Sequence, residues 1–412
     1  MSGANRHTLG FIFIVALIDA AGLGIIVPVT PALIVELTGA SLDVAAGYGS
    51  WLISLYAVTQ FFCAPVLGNL SDRFGRRPVL LFSLLAFGLD YLVMGFAPTL
   101  GWLFLGRFVA GAAGATFTTA NAAIADITPP EQRAQNFGLL GAGWGIGFAI
   151  GPVIGGFLSA LGPRAPFFAA AALALLNAAY GFWVMRETLP RENRRPFALR
   201  RANPVGALFQ MRGFPAILPL FAVVVCYMIA HDANPSVWAY YTKLKFAWSE
   251  ADIGKSLGAV GLCLAVVQGG LIRWIVPKLG ERRTVYLGFF LMGIGYFGFG
   301  AATAGWMIYA SILPFALGGV AMPALRGILS RRVPANAQGA LQGAITSIMG
   351  LTATVSPLIM AELLFGVFSA EDAPIYFPGA PYLAAALLMA LGLVIFAAAM
   401  RTPAAHASPS TQ

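Results

Sequence analysis

Residues 68–77 read Gly68-Asn69-Leu70-Ser71-Asp72-Arg73-Phe74-Gly75-Arg76-Arg77, wedged between two long apolar runs. Four of these ten residues are charged, and the runs on either side are long enough to cross a bilayer. A short charged loop in that setting lies at a membrane surface. The rest of the chain agrees. It is 59% hydrophobic and only 10% charged over 412 residues, where an ordinary soluble domain is about a quarter charged. Lipid must then be the solvent. Because every backbone polar group has to be paired inside the bilayer, so apolar a chain crosses it as helices.

A spanning helix needs about 20 apolar residues. Twelve such runs are expected, at 8–30, 47–69, 78–97, 101–124, 136–160, 165–185, 214–240, 253–276, 284–303, 305–329, 338–366 and 381–400. The apolar stretch from Leu9 is too long for a cleaved leader and meets no Ala-x-Ala site before Pro28. The net charge of +9 is concentrated in alternate connections, 70–77, 129–135, 186–212, 277–283 and 330–337. That is the positive-inside pattern, which assigns the charge to topology rather than to nucleic acid and puts both termini in the cytoplasm. Cys63, Cys226 and Cys263 sit in apolar surroundings, with spacing that fits neither a zinc site nor a disulfide framework.

The chain repeats. Arg73-Phe74-Gly75-Arg76-Arg77 returns as Lys278-Leu279-Gly280-Glu281-Arg282, Gly151-Pro152 as Ser356-Pro357, and Gly101-Trp102 as Gly305-Trp306. These offsets are close to half the chain and mark two related six-helix bundles. The expected division is a first bundle over 1–190, a cytoplasmic loop over 191–212, a second bundle over 213–403 and a disordered tail over 404–412. Parallel repeats of this kind place a substrate site between the halves, near the midplane.

Charges inside apolar runs are costly and usually face the interior. Asp19 falls mid-run in helix one, Asp90 in helix three, Arg107 in helix four, His231 and Asp232 with Asn234 in helix seven, and Glu362 in helix eleven. Asp19 and Asp90 are candidates to exchange a proton, and Arg107, always charged, to hold one of them ionised. A buried structural ion-pair network is the competing reading of these three. Gln60, Asn121, Gln268 and Gln342, with His231 and Asp232, are the candidate substrate contacts. In the 68–77 loop, Asp72, Arg73, Arg76 and Arg77 suit a cytoplasmic gate, because Asp72 can accept from arginines or from a helix N-terminus. Asp126 and Arg133 flank the nearby end of helix four and join that list, the plainer alternative being a surface ion pair. In helix five, Gly143, Gly147, Gly151 and Gly155 recur every four residues and line one face, with Pro152 and Gly156 beside them. No segment has metal-ligand spacing, and no constellation suited to enzymatic catalysis occurs.

These motifs carry a resemblance. The 68–77 loop resembles the loop between helices two and three of the major facilitator superfamily, and Gly147-x-x-x-Gly151-Pro152-x-x-Gly155-Gly156 resembles the helix-five signature of its drug/proton antiporters. Leu17-Ile18-Asp19-Ala20-x-Gly22-x-Gly24-x-x-x-Pro28-x-x-Pro31, Leu89-Asp90-Tyr91-Leu92, Gly106-Arg107, Ile124-Ala125-Asp126 and Arg186-Glu187-Thr188 are similar to the bacterial tetracycline/proton antiporters. Weaker similarity runs on through Leu279-Gly280-Glu281-Arg282 and Met322-Pro323-Ala324-Leu325. The resemblance implies an all-helical integral membrane fold of twelve helices in two pseudo-symmetric bundles. It further implies a monomeric exporter in the bacterial inner membrane, working without a cofactor. Its cargo would be an amphipathic drug, a tetracycline chelated to a divalent cation such as Mg2+, exchanged for protons. Where the family has an aspartate in helix nine and a histidine in helix eight, this chain has Met292 and Leu264. The alternative is therefore a superfamily exporter or importer of a different small molecule.

Overall fold

The computed structural model describes residues 3–129, 132–198, 203–334 and 337–401, with the side chains of 3–7, 133–135 and 207 excepted. The 404–412 tail lies outside them. Among the described residues the ordered elements are all helical. Eleven stretches are long and apolar enough to span a membrane. They are α1 (Thr8–Ile26), α2 (Leu42–Phe74), α3 (Arg76–Phe96), α4 (Leu100–Ile127), α5 (Asn136–Leu161), α6 (Ala165–Val184), α7 (Pro215–Phe246), Glu250–Ala301, α10 (Gly305–Arg331), α11 (Gln338–Ser369) and α12 (Ala380–Arg401). The 52-residue stretch Glu250–Ala301 holds two crossings. It turns at Gly280, whose φ of 74° leaves the helical region, giving α8 (250–279) and α9 (281–301). Gly75, the matching glycine between α2 and α3, has φ of 109°. Both turns need a backbone conformation that a side chain resists, so the repeat in sequence is a repeat in geometry.

Four helices break in mid-span, at equivalent places in the two halves. Helix α1 stops at Ile26 and resumes as Thr30–Thr38. Helix α4 breaks between Ala113 and Thr116, α7 at Asp232, and α10 between Gly318 and Ala321. Proline accounts for three of these. A proline lacks the N–H that would bond the carbonyl four residues back, and its ring crowds that carbonyl. Pro31, Pro235 and Pro323 each sit in the first turn of the resumed helix, where a proline is tolerated. Counted across its break, helix one runs on to Thr38, past the 8–30 run, and α2 and α7 likewise extend beyond theirs, to Phe74 and Phe246.

The halves meet along two seams, α5 on α8 and α2 on α11. The α8-facing line of α5 is tight at Gly156, Pro152 and Ala149, against Ala251, Gly254 and Gly261. A Cβ placed on Gly156 would lie 3.0 Å from the Ala251 Cα. The second seam is closed by Tyr240 lying on Gly49 and Phe61 on Gly350. Further toward the basic connections both seams part. Gly145 and Gly138, which continue the same line of α5, meet nothing within 4 Å, and neither do Gly269 on α8, Gly68 on α2 and Gly339 on α11. The molecule is open at the end that carries the basic loops and shut at the other.

Candidate functional site

Between the halves, on the shut side of the midplane, lies a cavity of about 240 Å³. Its walls come from three of the four broken helices and from α2, α3 and α5. Leu23, Val27 and Thr30 of α1 face Pro235, Ser236 and Tyr240 of α7, with Tyr56 of α2, Arg107 of α4 and Phe148 of α5 completing the lining. The walls are mostly apolar, and a few polar groups converge on them. Such a pocket fixes the orientation of a largely apolar ligand.

The strongest polar feature is the Arg107–Asp90 ion pair. The Asp90 side chain is fully buried and that of Arg107 nearly so. Room for the pair comes from Gly106, since any Cβ there would collide with the Asp90 carboxylate. The guanidinium also lies over the rings of Tyr56, 5.6 Å from its centroid, and Tyr91, at 5.9 Å. Gln60 Nε2 donates to Tyr56 Oη (2.9 Å) and to the carbonyl of Gly114 (3.1 Å), the residue at the α4 break. Asp19 is half-buried on α1 and within electrostatic reach of both tyrosine hydroxyls. A Cβ on Gly22, one turn beyond Asp19, would come 3.2 Å from the Tyr91 ring. Asp19, Asp90 and Arg107 therefore do gather in one bundle. Arg107 is paired with Asp90, and Asp19 has no ion-pair partner among the described residues.

The other sequence candidates scatter. Gln60 positions Tyr56 and does not line the cavity. Asn121 donates to the carbonyl of Phe117 in its own helix at 2.9 Å. Gln268 and Gln342 are exposed, Gln268 in a five-residue π-helical segment Val267–Leu271. His231 stacks on Tyr227 with 6.0 Å between centroids. Asp232 lies at the α7 break, and Glu362 faces Gly47 across the closed seam. Met292 is buried in the second bundle, and Leu264 packs near Gly319 at the α10 break. Tyr56, Ser236 and Tyr240 were not signalled by charge, though Tyr56 stands four residues before Gln60 on the same face of α2. Arg326 carries the same signal as Arg107, a charge inside an apolar run, and belongs with it. Among the described residues no carboxylate pairs with Arg326, and Nη2 contacts Met349 Sδ at 3.4 Å.

At the open end, Arg76 holds the 68–77 turn together. Its Nη1 donates to Asp72 Oδ1 (2.6 Å) and Ser71 Oγ (2.7 Å), and its Nε to Asp126 Oδ2 (3.0 Å). Asp126 is thus tied to Arg76, whereas the side chain of Arg133 lies outside the described residues. Arg73 is exposed and stacks on its neighbour Phe74. Arg77 turns to the carbonyl and ring of Phe182 at the end of α6. Among the described residues Asp72 does not reach a helix N-terminus. The start of α3 is taken by Glu187, which accepts from the backbone N–H of Arg76 at 2.8 Å and of Arg77 at 3.3 Å. The first N–H groups of a helix have no partner within it and carry partial positive charge, so a carboxylate is well placed there. Glu187 also accepts from the N–H groups of Thr188 and Leu189, both at 3.0 Å. Thr188 Oγ1 donates to Asp126 at 3.2 Å. The second half has its own pair, Glu281 with Arg331. These stand 205 residues on from Arg76 and Asp126, so the charges of the pair are exchanged between the halves.

Glu187 thereby pins the chain after α6 to the 68–77 turn. Glu187→Ala is expected to cost about 1–2 kcal/mol, the upper range for losing a helix cap. It should also raise the rate of tryptic cleavage at Arg191–Arg195 several-fold. Cleavage no faster than in the unaltered protein would mean that Asn69 and Asp72, which bond Ala198 and Arg195, hold this segment alone.

A model of the Major Facilitator Superfamily matches residues 12–357. The chain is 41% identical to the class C tetracycline resistance protein of Escherichia coli over 84% of its length and 87% of that protein's. It is 40% identical to the class E protein of Escherichia coli over 87% and 88%. Among solved structures, a bacterial homologue of the human lysosomal transporter Spinster, in an inward-facing and unoccupied conformation, superposes with a TM-score of 0.79. That match is 15% identical and covers 97% of this chain and 98% of the other.

Proposed function

Because this chain belongs to the major facilitator superfamily and, within it, to the tetracycline-resistance efflux proteins, we propose that it expels a tetracycline from the cytoplasm in exchange for protons. It is a multi-pass membrane transporter and not an enzyme. The cargo in this reading is the divalent-metal chelate, so the metal arrives with the substrate. The site is the bacterial inner membrane, with both termini and the basic loops in the cytoplasm by the positive-inside rule. One chain is enough, since its two bundles between them complete the cavity.

The observation that carries the reading is the buried Arg107–Asp90 pair beside the unpaired carboxyl of Asp19, at the wall of a cavity between halves parted at one end only. Rocking of the bundles would close the parted seams and open the tight ones, which is alternating access. Asp19 and Asp90 then exchange protons as the cavity changes sides. Tyr56 and Arg107 offer a polar face to the cargo, and the apolar remainder of the wall suits its ring system.

The test is tetracycline uptake into inverted vesicles with an imposed proton gradient. Uptake is expected to need Mg2+, to collapse with an uncoupler, and to be lost in Asp19→Asn. Met292 and Leu264 favour one second reading, export of a different amphipathic compound. Absence of tetracycline uptake in the unaltered protein, with uptake of another amphipathic cation or anion under the same gradient, would replace the first reading by the second.

A further inference from the structure

Among the described residues, the second bundle contains one mid-span carboxyl without an ion-pair partner. Glu250 pairs with Lys243, Asp252 with Lys255 and Glu281 with Arg331. Glu371 and Asp372 lie in the connection before α12. Glu362 sits at the closed outer seam, against Gly47. Asp232 alone is mid-span, at the point where Pro235 interrupts α7, and no cation pairs with it among the described residues.

Its surroundings are hydroxyls. Ser356 of α11, fully buried, is its side-chain neighbour, and Tyr296 of α9 is within electrostatic reach. The Tyr296 hydroxyl and Asn234 Oδ1 are buried with no hydrogen-bond partner among the described residues. Leaving such groups unpaired in a membrane interior is costly. The remaining charged or titratable neighbours are Arg326 of α10, which reaches Tyr227, and His231 on α7 itself. A hydroxyl can donate to an ionised carboxylate or accept from a protonated one. This shell therefore serves both states of Asp232, and a site satisfied in both is one that can exchange a proton. Asp90 differs, because in this conformation Arg107 holds it, and it can take a proton only once that pair parts. Asp232 is also only half-buried, and it stands one turn before Pro235 and Ser236, which line the cavity between the halves.

We infer that Asp232 is a second proton-exchanging group, carried by the α7 break and served by Ser356 and Tyr296. It rests on the proton-coupled reading above, and its test has one arm independent of the cargo. In that arm, the purified protein is titrated with acid and followed by the infrared stretching band of protonated carboxyls. Asp232→Asn is expected to lose one titrating component, Asp232→Glu to keep it at a shifted frequency, and Ser356→Ala to move its midpoint. An Asp232→Asn titration superimposable on that of the unaltered protein would overturn the inference.

In the second arm, Asp232→Asn vesicles should lose gradient-driven tetracycline uptake yet keep tetracycline counterflow, which needs no net proton movement. Loss of both would assign Asp232 to cargo binding or to structure and also overturn it. If the unaltered protein takes up no tetracycline, the proposed cargo fails while the infrared arm still decides the proton site.

Discussion

Arg107→Ala should be the most damaging single substitution in the first bundle. It leaves the fully buried Asp90 carboxylate without its counter-charge, and breaking a buried pair from one side costs about 3–5 kcal/mol. Asp90→Ala should cost less, because Arg107 keeps its contacts with the Tyr56 and Tyr91 rings. Replacing both partners with apolar residues of similar volume, Arg107→Met with Asp90→Leu, is expected to return stability to within about 1 kcal/mol of the original, since the desolvation cost leaves with the charges. Thermal unfolding in detergent gives this order directly. Vesicle uptake then separates structure from function: all three variants should be inactive, including the stable double one. Uptake by the double variant would reduce the pair to a structural element and leave Asp19 as the only proton site in its bundle.

The second large effect belongs to the glycine face of α5. Gly143, Gly147, Gly151 and Gly155 all press on α1. A Cβ on Gly151 would lie 3.0 Å from the Ala21 and Gly24 Cα atoms, and one on Gly155 would lie 2.8 Å from the Ile25 Cα. The obstacles are backbone atoms, which cannot rotate aside as a side chain can. Gly155→Ala and Gly151→Ala should each cost about 2–3 kcal/mol, the upper part of the overpacking range. On the same helix, Gly145 and Gly141 meet nothing within 4 Å. Gly145→Ala and Gly141→Ala should stay within about 0.5 kcal/mol of the original. Melting temperatures of the four variants make the comparison at constant chemistry. Equal losses at all four positions would mean that helix flexibility rather than contact with α1 is what these glycines supply.

Local features were legible in the sequence, and long-range partners were not. Apolar runs, the repeat and the i, i+4 glycines depend on neighbours along the chain, so each is read from a window of residues. The turns at Gly75 and Gly280 followed from the repeat alone. The partner of Asp126 did not. A nearby arginine, Arg133, is the natural local guess, yet the carboxylate reaches Arg76, fifty residues away. Glu187 looked like one more charge in a basic loop, and only the folded chain brings it to the first N–H groups of α3. The glutamines, polar groups inside apolar runs, sit outside the cavity lining: Gln268 and Gln342 are exposed and Gln60 serves a tyrosine. The cavity is built mainly from side chains such as Tyr56, Ser236 and Tyr240, and nothing in their local sequence distinguishes them from packing residues.

The docking of the segment after α6 has a mechanical consequence. Up to Ala198 the chain is fastened to the first bundle, through Glu187, Asn69 and Asp72. From Asn203 it belongs to the second, where Pro204 accepts from Ser347 of α11 and Asn203 caps the turn at Val205 and Gly206. The covalent tie between the two bundles, which move against each other in the alternating access proposed above, is therefore not the long basic connection that the sequence displays but the five peptide steps from 198 to 203. Five extended residues reach about 16–18 Å. While both anchors hold, that is the furthest these two points can part, so the linker acts as a leash whose length caps the stroke.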